Sequence, residues 1–154
     1  NVNFDLAQKR VKEIISELLN KMGITYKQIN TALMTGRILA EIKSDESGLI
    51  IGRGGQSLDA IELIVNLILS RDKDTRIKVS VDSDKFHQKH EEQLQKTARE
   101  AADQVKKTGM VYKFGPMPSK DRRVIHEFLK TDKEVETYSE GEGVLRKLFI
   151  KPAK

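Results

Sequence analysis

Leu49-Ile50-Ile51-Gly52-Arg53-Gly54-Gly55-Gln56-Ser57-Leu58 decides how the rest of the chain is read. The glycines stand between an apolar run and a stretch free of helix breakers from Gln56 to Leu69. Glycines at 52 and 55 carry no Cβ that would hold a ligand's backbone away, and Gly54 is free to take a positive φ. The turn is therefore expected at the N-terminus of a helix, where unpaired N–H groups and the positive dipole end attract anions. Arg53 adds a cation at the tip. Two other phosphate-binding turns do not fit: no Gly-Lys-Ser/Thr follows, and no G-x-G-x-x-G after a strand leads to a ribose-binding acid.

A chain of 154 residues makes one domain or two small ones. With 33% charged and 38% apolar residues, its composition is that of a soluble globular protein. The absence of cysteine excludes disulfides and thiolate metal sites and suits a reducing cytoplasm, the expected location. Asp59, Glu62 and Asn66 interrupt the longest apolar stretch, which falls short of the roughly 20 residues of a membrane span. No signal-peptide pattern is read, and Asn1 rather than Met stands first, which is compatible with a start inside a longer protein. The net charge of +5, from 28 basic and 23 acidic residues, is concentrated after residue 83 and suits a polyanionic partner without singling one out.

Before the glycine turn, Leu6, Val11, Ile14, Ile15, Leu18 and Leu19 follow helical spacing, with Asn3 or Asp5 as cap and Gly23 as stop. Ile24–Leu33 and Arg37–Lys43 read as two antiparallel strands around Thr35-Gly36, and Ser44–Ser47 as a polar loop. After the helix from Gln56, Thr75–Val81 alternates Ile77, Val79 and Val81 with Arg76, Lys78 and Ser80, the pattern of a half-buried strand. The order is helix, strand, strand, short helix with the Gly-x-x-Gly, helix, strand.

This order, with Ile51-Gly52-Arg53-Gly54-Gly55 at its centre, resembles the type II, prokaryotic KH domain over residues 1–83. The resemblance implies a loop that clamps the backbone of a single strand, with nucleotides between the turn and the edge of the hairpin's second strand. Ile51, and on the second strand Ile42, are the apolar side chains it assigns to that groove. The helix from Gln56 carries more apolar surface than one sheet face needs, so part of it is expected either against a second domain or another chain, or in an unusually buried position.

Residues 84–154 read as a small α/β unit that could share the core of the first. Asp82-Ser83-Asp84 caps a helix with Phe86, Leu94, Ala98, Ala101 and Val105 on one face, and Gly109 ends it. Met110–Phe114 is a short strand, Gly115-Pro116-Met117-Pro118 a break, and Ser119 the cap of a helix over about Lys120–Leu129. Val135–Tyr138 and Leu145–Lys151 are strands joined by the loop Ser139–Gly143. On the second helix, Arg122 and His126 are four residues apart and share a face, with Arg123 and Lys130 further into solvent. A guanidinium fork and an imidazole N–H on such a rim can hold a phosphate.

Pro116-Met117-Pro118-Ser119-Lys120-Asp121-Arg122-Arg123-Val124-Ile125-His126, followed by Val135–Gly143, is similar to the single-strand-binding domain known by its Arg-x-x-x-His signature. A KH domain followed directly by that domain resembles the bacterial Jag family, also called KhpB, from about residue 2 to Pro152. The fold so implied is α+β: a type II KH domain over 1–83, then a small α/β Arg-x-x-x-His domain over 84–154. The family's site falls on Ile51, Gly52, Arg53, Gly54 and Gly55 in the first domain, and on Arg122, Arg123, His126 and Lys130 in the second. The implied partner is single-stranded RNA or single-stranded DNA, with a small KH-domain protein or a second copy as protein partners. The implied role is an RNA chaperone or post-transcriptional regulator linked to cell-envelope or elongation control, with no cofactor and no catalysis. The sequence departs from the family in showing no amino-terminal accessory domain and in offering one basic residue, Arg53, where members often have two.

A protein-interaction adaptor for membrane insertion or cell division is the competing reading. A nuclease is disfavoured, because the acidic residues form no metal-ligand spacing and His87, His90 and His126 suggest no triad. His87 and His90, with Glu91, could form a zinc pair but read better as a solvated helix face. Aromatic residues are only 5%, with no Trp, which favours backbone recognition; Tyr112 and Tyr138 are the stacking candidates.

Overall fold

The computed structural model describes residues 4–71 and 77–153, which fall into two compact units, Asn1–His87 and Gln88–Lys154. In the first, α1 (Phe4–Met22) buries Ala7, Val11, Ile14, Ile15 and Leu19, a stripe at three- and four-residue steps. Leu6 and Leu18, expected on that stripe, lie at its margins, exposed and half-exposed. Gly23 ends the helix with φ 71°. Asn3 lies outside the described residues, and Asp5 sits inside the first turn, where its charge complements the helix dipole.

The strand expected from Ile24 starts four residues later, as β1 (Gln28–Met34), because the preceding segment is held by other contacts. Ile24 drops into the core, and Thr25 donates its N–H to Glu46 Oε2 at 2.8 Å. β2 (Arg37–Lys43) pairs antiparallel with β1 from Met34↔Arg37 to Gln28↔Lys43, around the expected Thr35-Gly36 turn. α2 (Ser47–Ile51), a 3-10 turn at Arg53–Gly55 and α3 (Gln56–Arg71) then lead to β3 (Lys78–Ser83), which pairs parallel with β2. Thr75 and Arg76 of the expected strand lie outside the described residues. The sheet order is β1-β2-β3, so β2 is the central strand. One face carries Ile38, Ala40 and Ile42 of β2 and Val79 and Val81 of β3 into a core shared with α1 and α3.

α4 (Phe86–Thr108) begins where the Asp82 carboxylate accepts the N–H groups of Ser83 and His87, and Gly109 closes it with φ 68°. The second unit continues with β4 (Tyr112–Pro116), α5 (Ser119–Leu129), β5 (Val135–Glu140) and β6 (Lys147–Pro152). Its sheet is antiparallel with order β4-β6-β5. β4 is displaced from the expected Met110–Phe114: Met110 and Val111 are exposed before it, and it runs through Gly115 and Pro116. A register shift between Lys113 and Pro116 accommodates the proline on an edge strand, where a missing N–H is tolerated. Ser119 is the first helical residue of α5 rather than its cap; Pro118 holds the cap position and its carbonyl accepts from Asp121 and Arg122 N–H, each at 3.1 Å. Leu145 belongs to a 3-10 turn before β6, and β5 extends through Ser139 and Glu140.

The second unit has a core of its own. Ala98, Ala101, Ala102 and Val105 of α4 pack with Phe114, Ile125, Leu129, Val135, Leu148 and Ile150 in a cluster of their own. Small residues on α4 let the helix approach closely, so a short sheet and two helices suffice to bury it.

Candidate nucleic-acid interface

The glycines of the turn serve different ends. A Cβ on Gly52, at φ 70°, would lie 2.3 Å from Ser57 Oγ, and one on Gly55, at φ 82°, would lie 2.4 Å from Phe86 Cε1. Both collisions are with the protein itself: glycine at 52 and 55 lets the turn fold against Ser57 and Phe86. Gly54, at φ 58°, has open space where a Cβ would stand, and it is exposed together with Arg53. Gly55 is buried and Gly52 and Ile51 are half-buried. The exposed part of the turn is therefore Arg53-Gly54, directly ahead of the positive end of α3.

The hairpin's second strand has no free edge to border the expected groove. β2 is flanked by β1 and β3, and Ile42 is fully buried in the core, its carbonyl accepting the Ser83 hydroxyl at 2.8 Å. β3 is one of the sheet's two edge strands, and side chains of α3 and α4 close its outer side. Asn66 donates to Val79 O at 2.8 Å and accepts Val79 N–H at 2.9 Å; Glu62 accepts Val81 N–H at 2.9 Å; His87 Nε2 lies 3.0 Å from Val81 O. The polar positions Glu62 and Asn66, which interrupt the apolar run of α3, thus terminate the sheet. The opposite margin of α3 exposes Leu63 (60%), Ile64 (41%) and Leu67 (55%).

The loop before the turn is tied down by Glu46. Its carboxylate accepts both the N–H and the hydroxyl of Thr25, and these bonds hold its pKa below the usual carboxylate value against a smaller opposing effect of desolvation. Its backbone carbonyl accepts Leu49 N–H at 2.9 Å, starting α2.

In the second unit, Arg122 Nη1 donates to Met117 O at 2.7 Å, and His126 Nδ1 lies 2.5 Å from Thr137 Oγ1 on β5. These bonds set the directions of both side chains. At about 100° per residue, Arg122, His126, Lys130 and Arg123 follow one another around a continuous arc of α5, with Arg122 beside the buried Leu129 and Arg123 farthest from the buried Asp121, Ile125 and Leu129. They are not equivalent: Lys130 Nζ is 3.9 Å from Glu127, and Arg123 borders a groove with Glu91, Gln95, Val124 and Phe128. Asp121, which the sequence reading passed over, is buried and lies 3.1 Å from His90 Nε2. His87 and His90 serve separate hydrogen bonds, which speaks against the zinc pair, while His87 and Glu91 are exposed, as expected of a solvated helix face. Among the described residues no group of three or more His, Cys, Asp or Glu is placed to hold a metal ion, and no helix is long and apolar enough to cross a membrane.

The KhpA/KhpB KH domain family matches residues 8–81, and the R-three-H domain family, named for its Arg-x-x-x-His signature, matches residues 92–152. The chain belongs to the KhpB family. Among similar proteins, one named RNA-binding protein KhpB from Bacillus subtilis is 38% identical over 111 residues, 71% of this chain and 53% of that protein. A protein of the same name from Clostridium symbiosum is 34% identical over 109 residues, 71% of this chain and 49% of that protein. One from Streptococcus pneumoniae is 26% identical over 150 residues, 96% of this chain and 45% of that protein. The chain thus spans about half the length of the curated relatives it matches. As a KhpB-family chain it has the α+β build of a KH domain followed by an R-three-H domain, as its sequence led one to expect.

Proposed function

We propose that this chain binds single-stranded RNA without catalysis, holding the phosphate backbone through Arg53-Gly54 at the turn and through Arg122 and His126 on α5. Arg123 and Lys130 add positive charge on the same arc, and Ile51, Gly52 and Gly55 shape the turn. The observation that carries the reading is the exposed Arg53-Gly54 tip with open space at Gly54 ahead of a helix N-terminus. The similar KhpB proteins named as RNA-binding lend it support. Two modules in one chain raise each other's effective concentration on a strand long enough to reach both. We include in the proposal the role of RNA chaperone or post-transcriptional regulator, a cytoplasmic location, and the division of labour between residues 1–83 and 84–154.

The test is Gly54→Asp. Aspartate tolerates the left-handed region better than most residues, so the fold is retained while a negative charge enters the phosphate path. Anisotropy titration with a labelled single-stranded RNA should show at least a tenfold loss. For the wild type, log K should fall by about 0.7 per log unit of salt for each phosphate contact. Salt-independent binding, or an unaffected Asp variant, would refute the mechanism.

A second reading, docking of a KH-domain partner or another copy, is favoured by the exposed Leu63, Ile64 and Leu67 on α3. Light scattering decides the self-association version: a monomer at tens of micromolar removes it.

A further inference from the structure

The second unit carries aromatic rings on the face of its sheet that its helices leave uncovered. β6 alternates, with Leu148 and Ile150 in the core and Lys147, Phe149 and Lys151 on the other side. In register, Phe149 is flanked by Tyr138 of β5 and Lys113 of β4. The Tyr138 and Phe149 rings are stacked, 5.0 Å between centroids and 10° between planes. Lys113 Nζ stands 6.0 Å from the Phe149 ring centroid, and Lys151 Nζ 6.0 Å from that of Tyr138. Of the five Phe and three Tyr, only Phe4, Tyr138 and Phe149 take no part in either core cluster. Tyr112, the other stacking candidate, packs instead against the second core beside Phe114.

We propose that this outer sheet face is a base-stacking platform for a single-stranded nucleic acid, with Tyr138 and Phe149 receiving bases and Lys113, Lys147 and Lys151 the adjoining phosphates. The inference rests on the reading of the chain as a single-strand binder and adds to it a surface separate from Arg122 and His126. Thr137, which meets His126, neighbours the buried Ile150 on the inner side of the sheet, whereas Tyr138 points outward. Aromatic rings with cations around them suit a strand that alternates flat bases with negative phosphates. Charge complementarity is modest: Glu136 lies 2.9 Å from Lys151 Nζ, and Glu140 is the cross-strand neighbour of Lys147. Lys113 faces Phe149 in register rather than a carboxylate. Stacking, more than charge, must therefore distinguish this surface.

The test compares a labelled single-stranded RNA of mixed sequence with an abasic strand of the same length, which keeps phosphates and loses bases. Tyr138→Leu and Phe149→Leu retain apolar bulk without a π-face, and Tyr138→Phe restores the ring. The expected result is about a tenfold loss for each Leu variant on the normal strand, no change on the abasic strand, and wild-type affinity for Tyr138→Phe. Leu variants that bind the normal strand like the wild type, or that weaken both strands equally, would overturn the platform. A wild type that binds the normal strand no better than the abasic one would also overturn it while leaving the backbone-binding function standing. A wild type that binds neither strand would sink that function, and this inference with it.

Discussion

The Phe86 ring occupies the place that a side chain on Gly55 would need: a Cβ there would come within 2.4 Å of Phe86 Cε1. The first residue of α4 thereby supports the underside of the Gly-x-x-Gly turn. Gly55→Ala combines that collision with a φ of 82°, where an L side chain costs about 1–2 kcal/mol on backbone grounds alone. Urea denaturation should show a loss of at least about 2 kcal/mol. Adding Phe86→Ala should recover the part due to the collision and leave the backbone part, which a double-mutant cycle separates.

Asn66→Leu should destabilise the first unit and expose a pairing edge. Both the N–H and the carbonyl of Val79 lose their partner, at about 1–3 kcal/mol for each group left unsatisfied in a buried setting. The variant should also form larger species in light scattering, because a bare strand edge invites pairing with another chain. Faster amide exchange at Val79 would localise the effect.

The Glu46 carboxylate, held below its ordinary pKa by Thr25, makes the loop before the turn acid-sensitive. A group whose folded pKa is lowered stabilises the fold above its unfolded pKa, and that contribution fades as pH falls through the folded value. Stability should therefore decline below about pH 4.5 more steeply in the wild type than in Glu46→Gln. Thermal melts across the acid range, comparing the two proteins, check this; parallel profiles would contradict it.

Arg122→Lys is not a conservative change. The guanidinium spends one N–H on Met117 O and has others for a phosphate, whereas a lysine ammonium offers no planar fork. The variant should retain its fold and bind single-stranded RNA about tenfold more weakly, in line with a lost charge-assisted bond of about 1.5–3 kcal/mol. Anisotropy titration beside a thermal melt distinguishes lost binding from lost folding.

Local pattern made much of this molecule readable from its residues alone. The three-and-four spacing in α1, the Thr35-Gly36 hairpin, the alternation in β3 and the glycine turn before α3 all follow from short-range rules of helix and strand geometry. The order of elements, the family resemblance and the arc of Arg122 and His126 came with them. Contacts between residues distant in the chain were decided only by the tertiary structure. It set β2 in the middle of its sheet, put Ile42 in the core, turned Glu62 and Asn66 to the β3 edge and brought Phe86 beneath Gly55. It also divided the apolar residues between two cores. Spacing along a chain specifies which face a side chain takes, but which neighbour meets that face depends on how separate elements pack, and no local pattern encodes that.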